Sequence, residues 1–94
     1  VAGPGQGGNN TALNVSATTV LKATAGQLFT VSVITAGAAG AIYDNNSTSS
    51  GNTAANQIGT IPAVVGTYPF YGWPCATGIT YVPGAAQVIS VSYS

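Results

Sequence analysis

The chain has 94 residues, 46% of them hydrophobic and 2% charged, with Lys22 and Asp44 as the two charged side chains and a formal net charge of zero. Soluble domains carry about a quarter charged residues, and binding to nucleic acid or to an anionic membrane surface draws on clusters of Lys and Arg, so the composition speaks against both partners. It speaks equally against disorder, which goes with high charge and few apolar residues.

Residues 1–11, VAGPGQGGNNT, are rich in Gly and Asn and have no hydrophobic period. They read as a flexible N-terminal arm, expected to lie on a neighbouring chain through Val1, Pro4, Gln6 and Asn9. From residue 12 the pattern turns to strands. In ALNVSA, Leu13, Val15 and Ala17 alternate with polar residues, and TTVLK follows with β-branched Thr18, Thr19 and Val20. QLFTVSVIT is the strongest strand, with Phe29, Val31 and Val33 expected on one face and Thr30 and Ser32 on the other. TAGAAG is a turn, AIYD a short strand, and DNNSTSSGNT, Asp44 to Thr53, a polar loop. NQIGTIPAVV reads as a strand broken at Gly59 and Pro62, the mark of a bulge or an edge. GITYV is a strand, PGAA a turn, and QVISVSYS a last strand with Ile89, Val91 and Tyr93 opposite Val88, Ser90 and Ser92.

These elements predict an all-β domain over residues 12–94, a small β-sandwich or jelly-roll-like fold of about seven to eight antiparallel strands. No run of apolar residues approaches the ~20 that a membrane-spanning helix needs, and no basic start followed by an apolar centre marks a signal peptide. A domain of this length is only marginally stable alone. Cys75 has no disulfide partner in the chain and there is no His, so association with other chains is the remaining stabiliser.

Chemistry is sparse. With no His, no Glu and one Asp, the chain lacks the positioned titratable pair of general acid–base catalysis. A Ser–Lys nucleophile on Lys22 has no motif around it, and Lys22 reads as a side chain snorkelling from a strand end. Asp44, Asn46 and Thr48 sit at alternate positions like the start of a calcium loop, but Ser49 and Ala55 occupy the places of its Gly and its bidentate Glu; the stretch reads as a solvated loop. Asn9, Asn14, Asn45 and Asn46 each begin an Asn-x-Ser/Thr sequon, a match that Asn/Ser/Thr-rich composition supplies by chance. Cys75 reads as a small buried thiol, compatible with folding in a reducing cytoplasm. The reading is a protein without catalysis, cofactor or metal.

One stretch stands apart. TYPFYGWPC, Thr67 to Cys75, holds Tyr68, Phe70, Tyr71 and Trp73 between Pro69 and Pro74. The prolines exclude it from a central strand and put it at an edge or corner. Rings could stack on sugars or on nucleobases, but charged partners for sugar hydroxyls and a basic groove are both missing. The structural reading is an aromatic cluster closing one end of the sandwich, with at least Phe70 and Trp73 buried in the core or under a neighbour.

Two segments, SATTVLKATAGQLFTVSVITAGAAGAIYDNNS (Ser16 to Ser47) and GTYPFYGWPCATGITYVPGAAQVISVSYS (Gly66 to Ser94), resemble small β-sandwich proteins encoded in the structural gene blocks of tailed bacteriophages. The shared pattern is a "vlka-g-l-tvsv" strand pair, an "IYD" strand, a polar loop, an aromatic-Pro-Gly segment and a terminal "v-VsY" strand. The resemblance implies a virion structural protein: a capsid decoration (cement) protein, a head-fibre component or a tail-associated module. As a decoration protein it would be made in the host cytoplasm and sit on the outer surface of the phage head. Its partners would be the major capsid protein and copies of itself, by analogy as a homotrimer. The alternative is a tail or head-fibre module that recognises a host surface glycan. Buried rings favour the first, exposed coplanar rings the second.

Overall fold

The computed structural model describes residues 10–94. Eight strands follow in chain order: β1 Asn10–Val15, β2 Thr19–Lys22, β3 Gly26–Thr35, β4 Gly40–Tyr43, β5 Gln57–Ile61, β6 Gly66–Cys75, β7 Ile79–Val82 and β8 Val88–Tyr93, with one turn of 3-10 helix at Ala54–Asn56 before β5. They form two four-stranded antiparallel sheets, ordered β1-β8-β3-β6 and β2-β7-β4-β5. The expected arm residues Val1, Pro4, Gln6 and Asn9 lie outside the described residues. Asn10 and Thr11, assigned to the arm on composition, instead open β1 by pairing with Tyr93 and Ser92; backbone pairing requires no apolar side chain.

The topology follows one rule. β1 pairs with β8, β2 with β7, β3 with β6 and β4 with β5, as in a single long antiparallel hairpin whose tip is the β4–β5 loop. Rolling that ribbon brings β8 beside β3 and β7 beside β4. Every connection except β4–β5 therefore crosses from one sheet to the other. This is an eight-stranded jelly roll, and its nested pairing draws each sheet from distant parts of the chain.

The core lies between the sheets. Val15, Leu28, Val31, Val33, Cys75, Ile89 and Val91 face Ile42, Ile61, Ile79 and Tyr81, all buried. Two irregularities set which residues reach it. β1 shifts register between Ala12 and Val15, where Asn14 adopts φ 55°. Ala12 and Val15 turn inward and Leu13 is left 72% exposed, opposite to strict alternation. β3 shifts between Leu28 and Thr30, so Leu28, not Phe29, joins Val31 and Val33 in the core. Phe29 is buried on the other face. In both strands one extra residue reverses the inward face, as a β-bulge does.

The 44–53 loop is built rather than merely solvated. Asn45 is buried, and its Nδ2 donates to the carbonyls of Ser47 (3.1 Å) and Ser50 (2.6 Å) and to Asn52 Oδ1 (2.9 Å). Its own carbonyl accepts from Thr80 Oγ1 at 2.8 Å, which ties the loop to β7. Beside the opposite end of β4, Gln87 is fully buried. Its Oε1 accepts from the Tyr81 hydroxyl at 2.6 Å and its Nε2 donates to the Pro62 carbonyl at 3.0 Å. Burial pushes the Tyr81 hydroxyl up to about 12, so it stays a donor at any ordinary pH.

The two leucines separated by these bulges give a direct test. Leu28→Ala should destabilise the fold by about 2–5 kcal/mol, whereas Leu13→Ala should stay within about 0.5 kcal/mol. Urea denaturation curves of both variants check this, and the reverse ranking would overturn the register.

Candidate functional site

β6 is the edge strand of its sheet, as the two prolines require. Between the pairs Thr30–Pro69 and Leu28–Trp73, β3 contributes one residue, Phe29, and β6 contributes Phe70, Tyr71 and Gly72. The excess is accommodated in left-handed backbone: Tyr71 has φ 57° and Gly72 φ 76°. Gly72 also passes close over Phe29, where a Cβ would stand 3.3 Å from Cε1 of the ring. A glycine at this point avoids both penalties; Tyr71 carries the strain of a bulky side chain in that region.

This looped-out pair sorts the four rings. Tyr68 and Phe70 precede it and are partly buried against the core. The Tyr68 hydroxyl donates to the Val64 carbonyl at 2.7 Å, and the Phe70 ring lies over Gly59 of β5, 3.4 Å from where a Cβ would be. Tyr71 is 87% exposed and Trp73 49% exposed. The chain by itself therefore does not bury Trp73, as expected for it with Phe70. The looped-out pair returns Trp73 to the face of its partner Leu28, but β6 lies at the edge of the sheet, and there the ring stays half exposed.

Phe29, Thr30, Pro69 and Tyr71 line a surface cleft of about 240 Å³. Its walls are two rings and a proline, and its side-chain polar groups are the hydroxyls of Thr30 and Tyr71. Beside it the outer face of the sheet is paved with small side chains: Thr11, Ser92, Thr30 and Pro69 in one row, and Ser90, Ser32 and Thr67 in the next. Ser32 and Thr67 hydroxyls meet at 3.4 Å. Ser92 Oγ is buried and has no hydrogen-bond partner among the described residues. Leu13, Ile34, Val64 and Val65 add exposed apolar area.

The chain's two charged groups lie elsewhere. Asp44, at the end of β4, accepts from the backbone N–H groups of Thr77 (2.8 Å), Ala76 (3.0 Å) and Gly78 (3.3 Å). Partial burial works to raise its pKa, but these three donors outweigh it and hold the carboxyl below its ordinary value of 3.8. It clamps the β6–β7 turn and does not collect the other oxygens of a calcium loop. No group of three or more His, Cys, Asp or Glu occurs among the described residues. The stem of Lys22 runs beside Gly26, with Cδ 2.8 Å from where a Cβ would stand. Cys75 is free and buried. Burial, and then the negative charge of Asp44, push its thiol up to about 11, away from nucleophilic form.

Among the described residues no helix is long and apolar enough to cross a membrane. No protein-family model, curated protein or solved structure matches the chain.

Two predictions follow from this geometry. Tyr71→Gly relieves left-handed strain and should leave the fold as stable or raise it by about 1 kcal/mol, while removing one wall of the cleft; a clearly lowered denaturation midpoint would mean that the ring holds the fold together. The Asp44 clamp has a defined pH dependence. Because its folded pKa lies below the unfolded one, its contribution is complete above the ordinary value of 3.8 and is lost as pH falls through the folded value. Urea midpoints should be flat from neutral pH down to the ordinary value of 3.8 and fall below it until the folded value is passed, and Asp44→Asn should lower the plateau and flatten the fall.

Proposed function

We propose that the chain is a non-enzymatic virion structural protein, a capsid decoration (cement) protein that binds the major capsid protein and copies of itself on the outer surface of a phage head. The observation that carries this reading is the surface itself. Leu13, Ile34, Val64, Val65, Tyr71 and Trp73 are all exposed large hydrophobics, on a chain with two charged side chains of which one is engaged by backbone amides. Free monomers use surface charge to stay apart, and exposed apolar area of this kind marks contact surface. The jelly-roll fold supports the reading by analogy, since capsid domains commonly use it. Many weak copies bridging coat subunits oppose internal pressure through avidity, without a catalytic group. The expected oligomer is a trimer, matching threefold positions on an icosahedral shell.

The second reading is a fibre module that recognises a host surface glycan. The exposed rings of Tyr71 and Trp73 favour it, and lectins also use the jelly roll. Against it stands the scarcity of polar side chains lining the cleft, where only the hydroxyls of Thr30 and Tyr71 could bond a sugar and no carboxylate, amide or guanidinium does.

Sedimentation of the purified protein and pelleting with capsids that lack it separate the two. A trimer that co-pellets with capsids, and loses that binding on Tyr71→Ala or Trp73→Ala, supports the decoration role. A soluble monomer that ignores capsids and binds a glycan through Tyr71 overturns it.

A further inference from the structure

The outer face along β3 and β6 fits a chain that brings flat apolar rings and free carbonyls. We propose that it docks an uncharged, proline-containing segment of a partner protein. The segment lies extended along the two strands, with a proline in the cleft of Phe29, Thr30, Pro69 and Tyr71 and an apolar residue against Ile34 and Val65. Its chemistry is set by the face; that it belongs to the coat protein rests on the decoration reading.

The register lays out the track. Thr30 pairs with Pro69, Ser32 with Thr67 and Val33 with Gly66, and the Ser32 and Thr67 hydroxyls meet at 3.4 Å between the two strands. At one end stands the cleft of about 240 Å³, between the buried ring of Phe29 and the exposed ring of Tyr71. At the other end Ile34 and Val65 are exposed; they lie four residues along the chain from Thr30 and Pro69 respectively. Four residues of strand cover about 13 Å, and four residues of polyproline II cover about 12 Å. A segment with a proline and an apolar residue four positions apart therefore meets both ends. Pairing beside β6 is denied to it, because Pro69 and Pro74 offer no N–H and Tyr71 and Gly72 leave the line of the strand. The segment lies over the face instead.

Hydrogen-bonding capacity selects the occupant. The polar side-chain groups of the cleft are the Thr30 and Tyr71 hydroxyls, and no charged or amide side chain lines it. Polyproline II has no internal hydrogen bonds, so its carbonyls take outside donors, while each proline brings no N–H in want of an acceptor. Hydroxyls along the track meet that need, and aromatic-lined grooves are the known seat of such segments. A pyranose brings several hydroxyls, more than two groups satisfy, and a desolvated polar group left unpaired costs more than a made bond contributes. A charged segment would lose hydration with no opposite charge to meet. Asp44 is engaged by the amides of Ala76, Thr77 and Gly78, and Lys22 lies on β2 in the other sheet. Tyr71 adds preorganisation: with φ 57° its backbone carries the ring out into solvent before any ligand arrives, and a wall already in place loses less entropy on binding.

Nuclear magnetic resonance titration of the full chain tests it. The probe is a short, capped, uncharged peptide with a proline pair and, four positions on, a leucine, in an alanine–serine background; its counterpart has alanine in place of both prolines. The proline peptide should shift the signals of Phe29, Thr30, Tyr71 and Ile34 saturably at millimolar concentration or below, independently of salt, and the counterpart should not. Tyr71→Gly should weaken binding at least tenfold. Thr30→Val should weaken it about two- to tenfold, the loss of one hydrogen bond. Dispersed spectra of both variants establish that the sheet is intact. Two peptides that bind alike, or a proline peptide that does not bind, would overturn the proposal. So would Tyr71 signals that move on dilution of the chain alone, which puts a second copy on the face, or that move with neutral monosaccharides and not with the peptide, which assigns the cleft to sugar. Capsid pelleting keeps this proposal distinct from the decoration reading. Capsids that do not bind the chain, when the peptide does, remove the decoration role and leave the docking face standing. Capsid binding that excess proline peptide does not displace overturns the docking face alone.

Discussion

Phe29 is one residue more than β8 can match and two fewer than β6 presents, and much of the molecule is arranged around that mismatch. Leu28, Val31 and Val33 all have to face the core, which strict alternation forbids. The bulge at Phe29 reconciles them. Its ring, excluded from the core, is buried on the outer face under Gly72, and Tyr71 is carried out into solvent beside it. Left-handed backbone at a tyrosine costs on the order of 1 kcal/mol, whereas burying a phenylalanine contributes about 1.5–3 kcal/mol. Burial wins, and the cleft is the shape that remains.

With so little charge, the loops at both ends of the second sheet are held by neutral hydrogen bonds and one carboxylate. Asp44 and Asn45 follow β4 directly and fasten the β6–β7 turn and the long β4–β5 loop. Gln87 fastens the other end, joining Tyr81 of β7 to the chain leaving β5. Each of these groups is buried or part-buried with its partners in place, which is the condition under which buried polar groups hold a fold instead of weakening it. Because almost every connection crosses between sheets, some of these ties bind segments that the chain separates by 25 residues or more, such as Asp44 to Thr77 and Gln87 to Pro62.

The strands were legible because period-2 alternation and β-branched residues report local preference directly: Ile89 and Val91 face the core as their spacing predicts. The edge position of the aromatic stretch was legible too, since Pro69 and Pro74 lack the N–H groups of a central strand. The bulges at Asn14 and Phe29 were not. A bulge is settled by which residues the partner strand offers, and the partners lie far off in sequence: Val91 and Ile89 for β1, Ser92 and Pro69 for β3. The same distance hid the cleft, whose walls come from QLFT and TYPFY. Asn45 was hidden for another reason. DNNSTSSGN has the composition of a solvated loop, and nothing in it singles out which asparagine turns inward.

The edges constrain how such a sheet can meet another protein. An exposed edge strand invites pairing through its free N–H and C=O groups. β6 refuses it: Pro69 and Pro74 offer no N–H, and the Tyr71–Gly72 excursion breaks the line between them. β5, the matching edge of the second sheet, stops at Ile61 against Pro62. Along β6 contact therefore falls to side chains, and those exposed there are Tyr71 and Trp73, with Val64 and Val65 just before the strand. The opposite edge, β1, has no proline and no charge, but its bulge at Asn14 twists it out of regular register. A face of small hydroxyls bordered by a few exposed apolar groups is suited to a partner matched in shape rather than in charge. That is a demand a repeating shell of identical subunits meets well, because one complementary surface recurs at every position.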